Sequence, residues 1–128
     1  MAGELILIIE DNDKNRKLAR DVLQVKGYKT IESETAEEGL ELARNQSPAL
    51  ILMDIQLPGI DGYEVTRRIK ADPGLRAIPI IAVTSYALSG DAEKAFDAGC
   101  DAYVTKPYSP RQLLAKVREY LALGTPTM

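Results

Sequence analysis

Short apolar runs without polar interruption recur along this chain, and between them the hydrophobic spacing changes to a helical period. Leu5-Ile6-Leu7-Ile8-Ile9 and Ala49-Leu50-Ile51-Leu52-Met53 are continuous, and Ile78 to Val83 is broken only by Pro79. Runs of this kind mark strands covered on both faces, as in a parallel sheet. Tyr28 to Ile31 and Ala102 to Val104 are shorter strand candidates. The intervening segments predict helices. Leu18, Val22 and Val25 share one helical face, and Gly27 is placed to end that helix. Thr35 to Glu38 has the form of a capping box, with Ala36, Leu40 and Ala43 turned inward. Asp61 to Glu64 is a similar start, with Val65 and Ile69 on the apolar side. Ala92, Ala95 and Phe96 repeat the pattern before Gly99. Ser109 as cap, Pro110 at the first position and Gln112 at the third open the last helix, which runs on through Leu113, Val117 and Leu121.

Five strands each followed by a helix predict a single α/β domain, a doubly wound (βα)5 sandwich with right-handed crossovers. The 128 residues leave room for one such unit, with a core of about 4–122 and a short tail at 123–128. A net charge of −3 gives no bulk attraction to nucleic acid or anionic lipid. No apolar stretch approaches the roughly 20 residues of a membrane span, and the start lacks a basic region before its apolar run. The single cysteine, Cys100, suits a reducing compartment. The expected setting is cytoplasmic, without membrane or nucleic-acid partners.

Open sheets of this class bind ligands beyond the carboxyl ends of their strands. Glu10 and Asp11 follow the first run, Asp54 the third and Thr84 the fourth, and Lys106 lies just beyond the fifth. Any one of these is commonplace: adjacent acids cap helices, a threonine ends strands and a lysine before proline is usually solvated. All of them at one sheet edge form a chemical site. Three carboxylates packed together repel unless a cation joins them, and a hard divalent ion with oxygen ligands answers that need.

These residues carry a family resemblance that spans nearly the whole chain. Ile8-Ile9-Glu10-Asp11-Asn12, Leu52 to Pro58, Ala82-Val83-Thr84-Ser85 and Tyr103-Val104-Thr105-Lys106-Pro107 resemble the signature of response regulator receiver domains. Asp61-Gly62 and Ala98 to Tyr103 fit it too, as do the spacings of 30 residues from Asp54 to Thr84 and 22 from Thr84 to Lys106. Leu52 to Pro58 and Ala98 to Pro107 are similar to the stand-alone cell-cycle regulators of the DivK type. The resemblance implies a flavodoxin-like fold with strand order 2-1-3-4-5. It implies that Asp54 accepts a phosphoryl group from a histidine kinase or a histidine phosphotransfer protein. Mg²⁺, with Mn²⁺ able to substitute, would be held by Glu10, Asp11, Asp54 and the backbone carbonyl of Gln56. Lys106 would pair with a phosphoryl oxygen, aimed by a cis Lys106–Pro107 peptide. Thr84 and Tyr103 would form the switch, and Gln56, Ser85 and Tyr86 would flank the phosphoryl group.

The chain has no histidine, so the expected donor is another protein's phosphohistidine, docking near Arg16 to Arg20, or a small acyl phosphate. Output is expected through protein contact at the fourth helix, fifth strand and fifth helix. The chain reads as a stand-alone regulator, with a receiver cut from a hybrid kinase as the alternative. An aspartyl-phosphate phosphatase would carry a second aspartate where Gln56 stands. A flavodoxin-like nucleotide binder would need a phosphate-binding loop where Glu10-Asp11 stands. A scaffold that has lost its chemistry would not keep all five site residues.

Overall fold

A computed structural model describes residues 3–57, 62–84, 91–106 and 108–124, the side chains of 91, 92, 123 and 124 aside. Strands and helices alternate throughout: β1 (Leu5–Ile9), α1 (Asp13–Val25), β2 (Lys29–Ser33), α2 (Ala36–Gln46), β3 (Leu50–Asp54), α3 (Gly62–Ala71), β4 (Ile80–Thr84), α4 (Asp91–Ala98), β5 (Ala102–Thr105) and α5 (Pro110–Gly124). All pairings are parallel and the sheet order is β2-β1-β3-β4-β5. This is the flavodoxin-like (βα)5 arrangement. The chain order reverses across β1 and β3, so their carboxyl ends flank a crevice.

The alternation of side chains along each strand explains why the central runs are apolar without a break. Leu7, Ile9, Ile51 and Met53 join Leu40, Ala43, Val65, Ile69 and Ala95 of α2, α3 and α4 in one buried cluster. Ile6, Ile8, Leu50 and Leu52 face the other way, into a cluster with Ala19 and Leu23 of α1 and Leu113, Val117 and Leu121 of α5. Each fully buried aliphatic side chain contributes roughly 1.5–3 kcal/mol, and the three central strands supply most of them. Among the described residues, no helix is long and apolar enough to cross a membrane.

Caps set the boundaries. Asn12 caps α1 by accepting from the Asn15 amide at 3.0 Å. Gly27, at φ +91°, ends it. The Gly27 amide donates to the Gln24 carbonyl at 2.9 Å and the Tyr28 amide to the Leu23 carbonyl at 3.2 Å, the paired bonds of a Schellman turn. Thr35 accepts from the Glu38 amide at 3.2 Å. The box at α5 is complete in both directions: Gln112 N–H donates to Ser109 Oγ at 3.1 Å, and Ser109 N–H donates to Gln112 Oε1 at 2.8 Å. The expected start at Asp61 lies outside the described residues.

Three expectations shift. β2 runs from Lys29 to Ser33, not from Tyr28 to Ile31. It pairs only with β1, so its outer side is solvated and its apolar signature is weak. On α1 the buried residues are Ala19 and Leu23, while Leu18 is 45% and Val25 81% exposed. Ala19 and Leu23 are the α1 residues that reach the buried cluster, and on the β2 side of the helix Arg16 and Arg20 pair with Glu32. Phe96 is 49% exposed and meets the ring of Tyr103 edge-on, with centroids 6.0 Å apart.

Candidate functional site

The sheet delivers its polar residues to one edge. Asp54 is the last residue of β3, opposite Val83 in register, and Thr84 ends β4 opposite Thr105. Glu10 follows β1 and Lys106 follows β5. Glu10, Asp54 and Thr84 are buried, whereas Asp11 is exposed. Carboxylate oxygens of Glu10, Asp11 and Asp54 all lie within 4.8 Å of one another.

Lys106 is the cation that this cluster has. Its Nζ donates to Glu10 Oε1 at 2.8 Å and to Asp54 Oδ2 at 3.4 Å. The other Asp54 oxygen accepts from the Gln56 amide at 3.0 Å, an Asx turn that leaves the Gln56 side chain exposed. The other Glu10 oxygen accepts from the Asn12 amide at 3.1 Å. The Lys106 amide donates to the Thr84 carbonyl at 2.7 Å, tying the ends of β4 and β5.

Burial, then a hydrogen bond to Asp54, raises the Glu10 carboxyl above its ordinary range, against the pull of Lys106 and the Asn12 amide. Burial alone would lower the Lys106 ammonium, but Glu10 and Asp54 outweigh it and hold the group above its usual value. The Tyr108 phenol is pushed up to about 12, by burial first and then by the charge of Glu10. One ammonium thus faces three carboxylates. Carboxylates packed this closely repel one another unless further positive charge joins them. The donor set is oxygen only, which suits a hard divalent ion.

α3 closes the site from the far side. A Cβ on Gly62 would lie 2.7 Å from the Asp54 carbonyl oxygen and 2.7 Å from Ile55 Cα. The Gly62 amide donates to the Ile55 carbonyl at 3.0 Å. Only a residue without a side chain lets the helix start this close to the end of β3.

The structure brings together Glu10, Asp11, Asp54, Thr84 and Lys106 at one sheet edge, as their strand-end positions predicted. Tyr103 stands on β5, 38% exposed, away from the carboxylates. Ser85, Tyr86 and Pro107, and with Pro107 the expected cis peptide, lie outside the described residues. Sequence reasoning placed Arg16 in a donor-docking stretch and missed its hold on the site: its Nη1 donates to the Glu10 carbonyl at 2.8 Å. It missed Tyr108 too, which lines a small cavity beneath Glu10 and Asp54 with Asn15 and Ala19. An aromatic two residues after the lysine was the available signal for Tyr108; Arg16 had none.

An open parallel sheet with an acid triad, a threonine and a lysine at its switch point defines the phosphoacceptor class of signalling domain. The chain matches the family model described as response regulator receiver domain over residues 6–118, and it belongs to that family, a phosphorylation-dependent switch of two-component signalling and not a turnover enzyme. The polar-differentiation response regulators DivK of Brucella ovis and Brucella melitensis are each 47% identical over 116 residues, covering 91% of this chain and 94% of DivK. Among solved structures, the receiver domain of sensor histidine kinase PA1611 from Pseudomonas aeruginosa PAO1 superposes with a TM-score of 0.88 at 36% identity, covering 94% of this chain and 99% of that one. That structure has a magnesium ion coordinated in its active-site cleft. A CheY-like receiver domain protein from Methanospirillum hungatei JF-1 gives 0.88 at 32% identity, covering 96% and 97%.

Proposed function

We propose that residues 1–128 act as one receiver unit in which Asp54 accepts the phosphoryl group. The observation that carries this reading is the Lys106 ammonium set against both Glu10 and Asp54, 3.4 Å from Asp54 Oδ2, beside a cluster of oxygen ligands. Glu10, Asp11, Asp54 and the Gln56 carbonyl would hold Mg²⁺, or Mn²⁺ in its place. The ion supplies charge neutralisation at the transferring phosphoryl oxygens.

An Asp54 carboxylate oxygen attacks phosphorus in line. The new P–O bond forms as the bond to the donor breaks, and the donor leaves with that electron pair as imidazole or, from acetyl phosphate, as acetate. Lys106 then pairs with a phosphoryl oxygen as a point charge. Thr84, buried at the end of β4, donates its hydroxyl to the same group and draws its loop inward. Tyr103 follows from its partly exposed position into the space vacated, and the α4–β5–α5 face changes shape. Gln56, Ser85 and Tyr86 border the phosphoryl group and set its lifetime.

Family membership supports a histidine kinase or phosphotransfer protein as donor. Within the Arg16 to Arg20 stretch the exposed members are Lys17 and Leu18. With Lys14 they offer that partner a mixed basic and apolar face beside the site. Output goes to a protein seated on the groove between β5 and α5, lined by Tyr103, Thr105, Gln112, Lys116 and Glu119, with Phe96 exposed at its border.

Intact mass after incubation with acetyl phosphate tests the core of this reading. The native chain should gain one phosphoryl group only with Mg²⁺ present, and Asp54→Asn should gain none. Gain in the mutant would move the acceptor elsewhere. No gain in the native chain, with acetyl phosphate or with a phosphorylated donor, would reduce the domain to a scaffold.

A further inference from the structure

Arg16 sits one turn into α1, and its guanidinium turns back toward the end of β1. Nη1 donates to the Glu10 carbonyl oxygen at 2.8 Å. Nη2 pairs with Asp13 and, at 3.2 Å, with Glu34, and Nε lies 3.3 Å from Glu32. The side chain is only 13% exposed and its donors are taken up by Glu10, Asp13, Glu32 and Glu34, so it is a half-buried clamp and not a surface charge free for a partner. A guanidinium presents its donors in a fixed planar fork, which suits three acids and a carbonyl approached from different sides.

The carbonyl it holds belongs to the peptide that joins Glu10 to Asp11. Asp11 is exposed, and among the described residues its side chain has no hydrogen bond or ion pair. No side-chain partner steers it, so the backbone alone fixes where its Cα–Cβ bond points. The rest of the turn is tied as well: Glu10 N–H donates to the Ser33 carbonyl at 3.1 Å, and Arg16 N–H to the Asn12 carbonyl at 2.9 Å. Arg16 is the one side chain from outside the turn seen to grip the Glu10–Asp11 peptide among the described residues.

We propose that Arg16 is a positioning residue for the cation site: it fixes the Glu10–Asp11 peptide so that both carboxylates converge on Asp54, without itself touching the ion. The inference rests on reading the acid cluster as that cation site. Arg20 supplies an internal comparison. It also ties α1 to β2, through Glu32 at 3.1 Å, and pairs with Asp21 at 3.7 Å, but it makes no contact with Glu10. If the arginines only fasten helix to strand, the two are equivalent; if Arg16 shapes the site, they differ.

The experiment uses the full chain and Mn²⁺ as probe, its free concentration read by electron paramagnetic resonance, with amide exchange of Asp11 and Asn12 followed by NMR in metal-free protein. Arg16→Met keeps most of the apolar stem and removes the fork. It should weaken Mn²⁺ binding about tenfold to a hundredfold, the usual cost of losing an outer-shell partner, and should speed exchange at both amides. Arg16→Lys restores the charge without the fork and should fall between native and Arg16→Met, which keeps the test open if the methionine variant does not fold. Arg20→Met should lose urea stability yet keep native Mn²⁺ affinity and exchange. Native affinity and exchange in Arg16→Met, or equal losses in Arg20→Met, would overturn the inference while the site reading stands. A native chain that takes up no Mn²⁺ would overturn both.

Discussion

The ammonium of Lys106 lies nearer to Glu10, at 2.8 Å, than to Asp54, at 3.4 Å. In this state the lysine belongs to the acid cluster as a whole. Removing it should leave Glu10 and Asp54 facing each other with no buried cation. Lys106→Met is expected to cost about 1–3 kcal/mol of stability in metal-free protein, measured by urea unfolding. Mg²⁺ should recover more stability in this variant than in the native chain, because the ion then supplies the only positive charge.

The raised carboxyl of Glu10 has a definite sign in a pH series. A folded-state pKa above the unfolded value of 4.5 means that the folded chain binds the proton more tightly. That stabilisation is complete below pH 4.5 and is lost as pH rises through the folded pKa. Relative to Glu10→Gln, native metal-free protein should therefore lose stability as pH rises across that window. Denaturant midpoints of the two proteins from pH 4 to 8 would show it, and parallel curves would contradict it.

Gly62→Ala places a methyl group against backbone on both counts, the Asp54 carbonyl and Ile55 Cα. Neither contact can yield by rotating a side chain, so α3 must shift away from β3. A loss of about 1–3 kcal/mol is expected, together with slower phosphorylation from acetyl phosphate. Stability lost at an unchanged rate would mean that the helix moves while Asp54 stays in place.

At the opposite end of the sheet, Lys70 Nζ donates to the Arg76 carbonyl at 3.1 Å, the Ile78 carbonyl at 2.9 Å and Asp101 Oδ2 at 3.1 Å. The same Asp101 oxygen accepts from the Ile80 amide at 2.8 Å. One lysine thus gathers the approaches to β4 and β5. Lys70→Met should lower stability by about 1.5–3 kcal/mol, the range for hydrogen bonds to a charged group. Phosphorylation should continue at the native rate, since the staple lies a strand length from Asp54.

The central fold was legible because β1, β3 and β4 are covered on both faces and so are apolar at every position up to the polar last residues of β3 and β4, Asp54 and Thr84. The site was legible for a related reason: strand ends are countable, and the residues just past them land on the same edge. The outer elements were less legible. β2 is half solvated, and α1 carries more apolar residues than the sheet covers, so Leu18 and Val25 could not be told from Leu23 by spacing alone. The rotation is settled by which face packs on the sheet and α5, and the ion pairs to Glu32 that accompany it join residues apart in the chain. The same holds for Arg16, whose partners lie on β2, just past the ends of β1 and β2, and at the first residue of α1, and whose role emerges only once β2 lies beside β1.

The chain has six tyrosines and no tryptophan, so no indole drains or masks tyrosine emission. Tyr103 stands half in water with Phe96 against its edge. If its ring turns inward when Asp54 is phosphorylated, its emission and near-ultraviolet dichroism change with the loss of that neighbour and that solvent. The domain therefore carries its own optical gauge, and Tyr103→Phe identifies which part of the signal is the gauge and which is background.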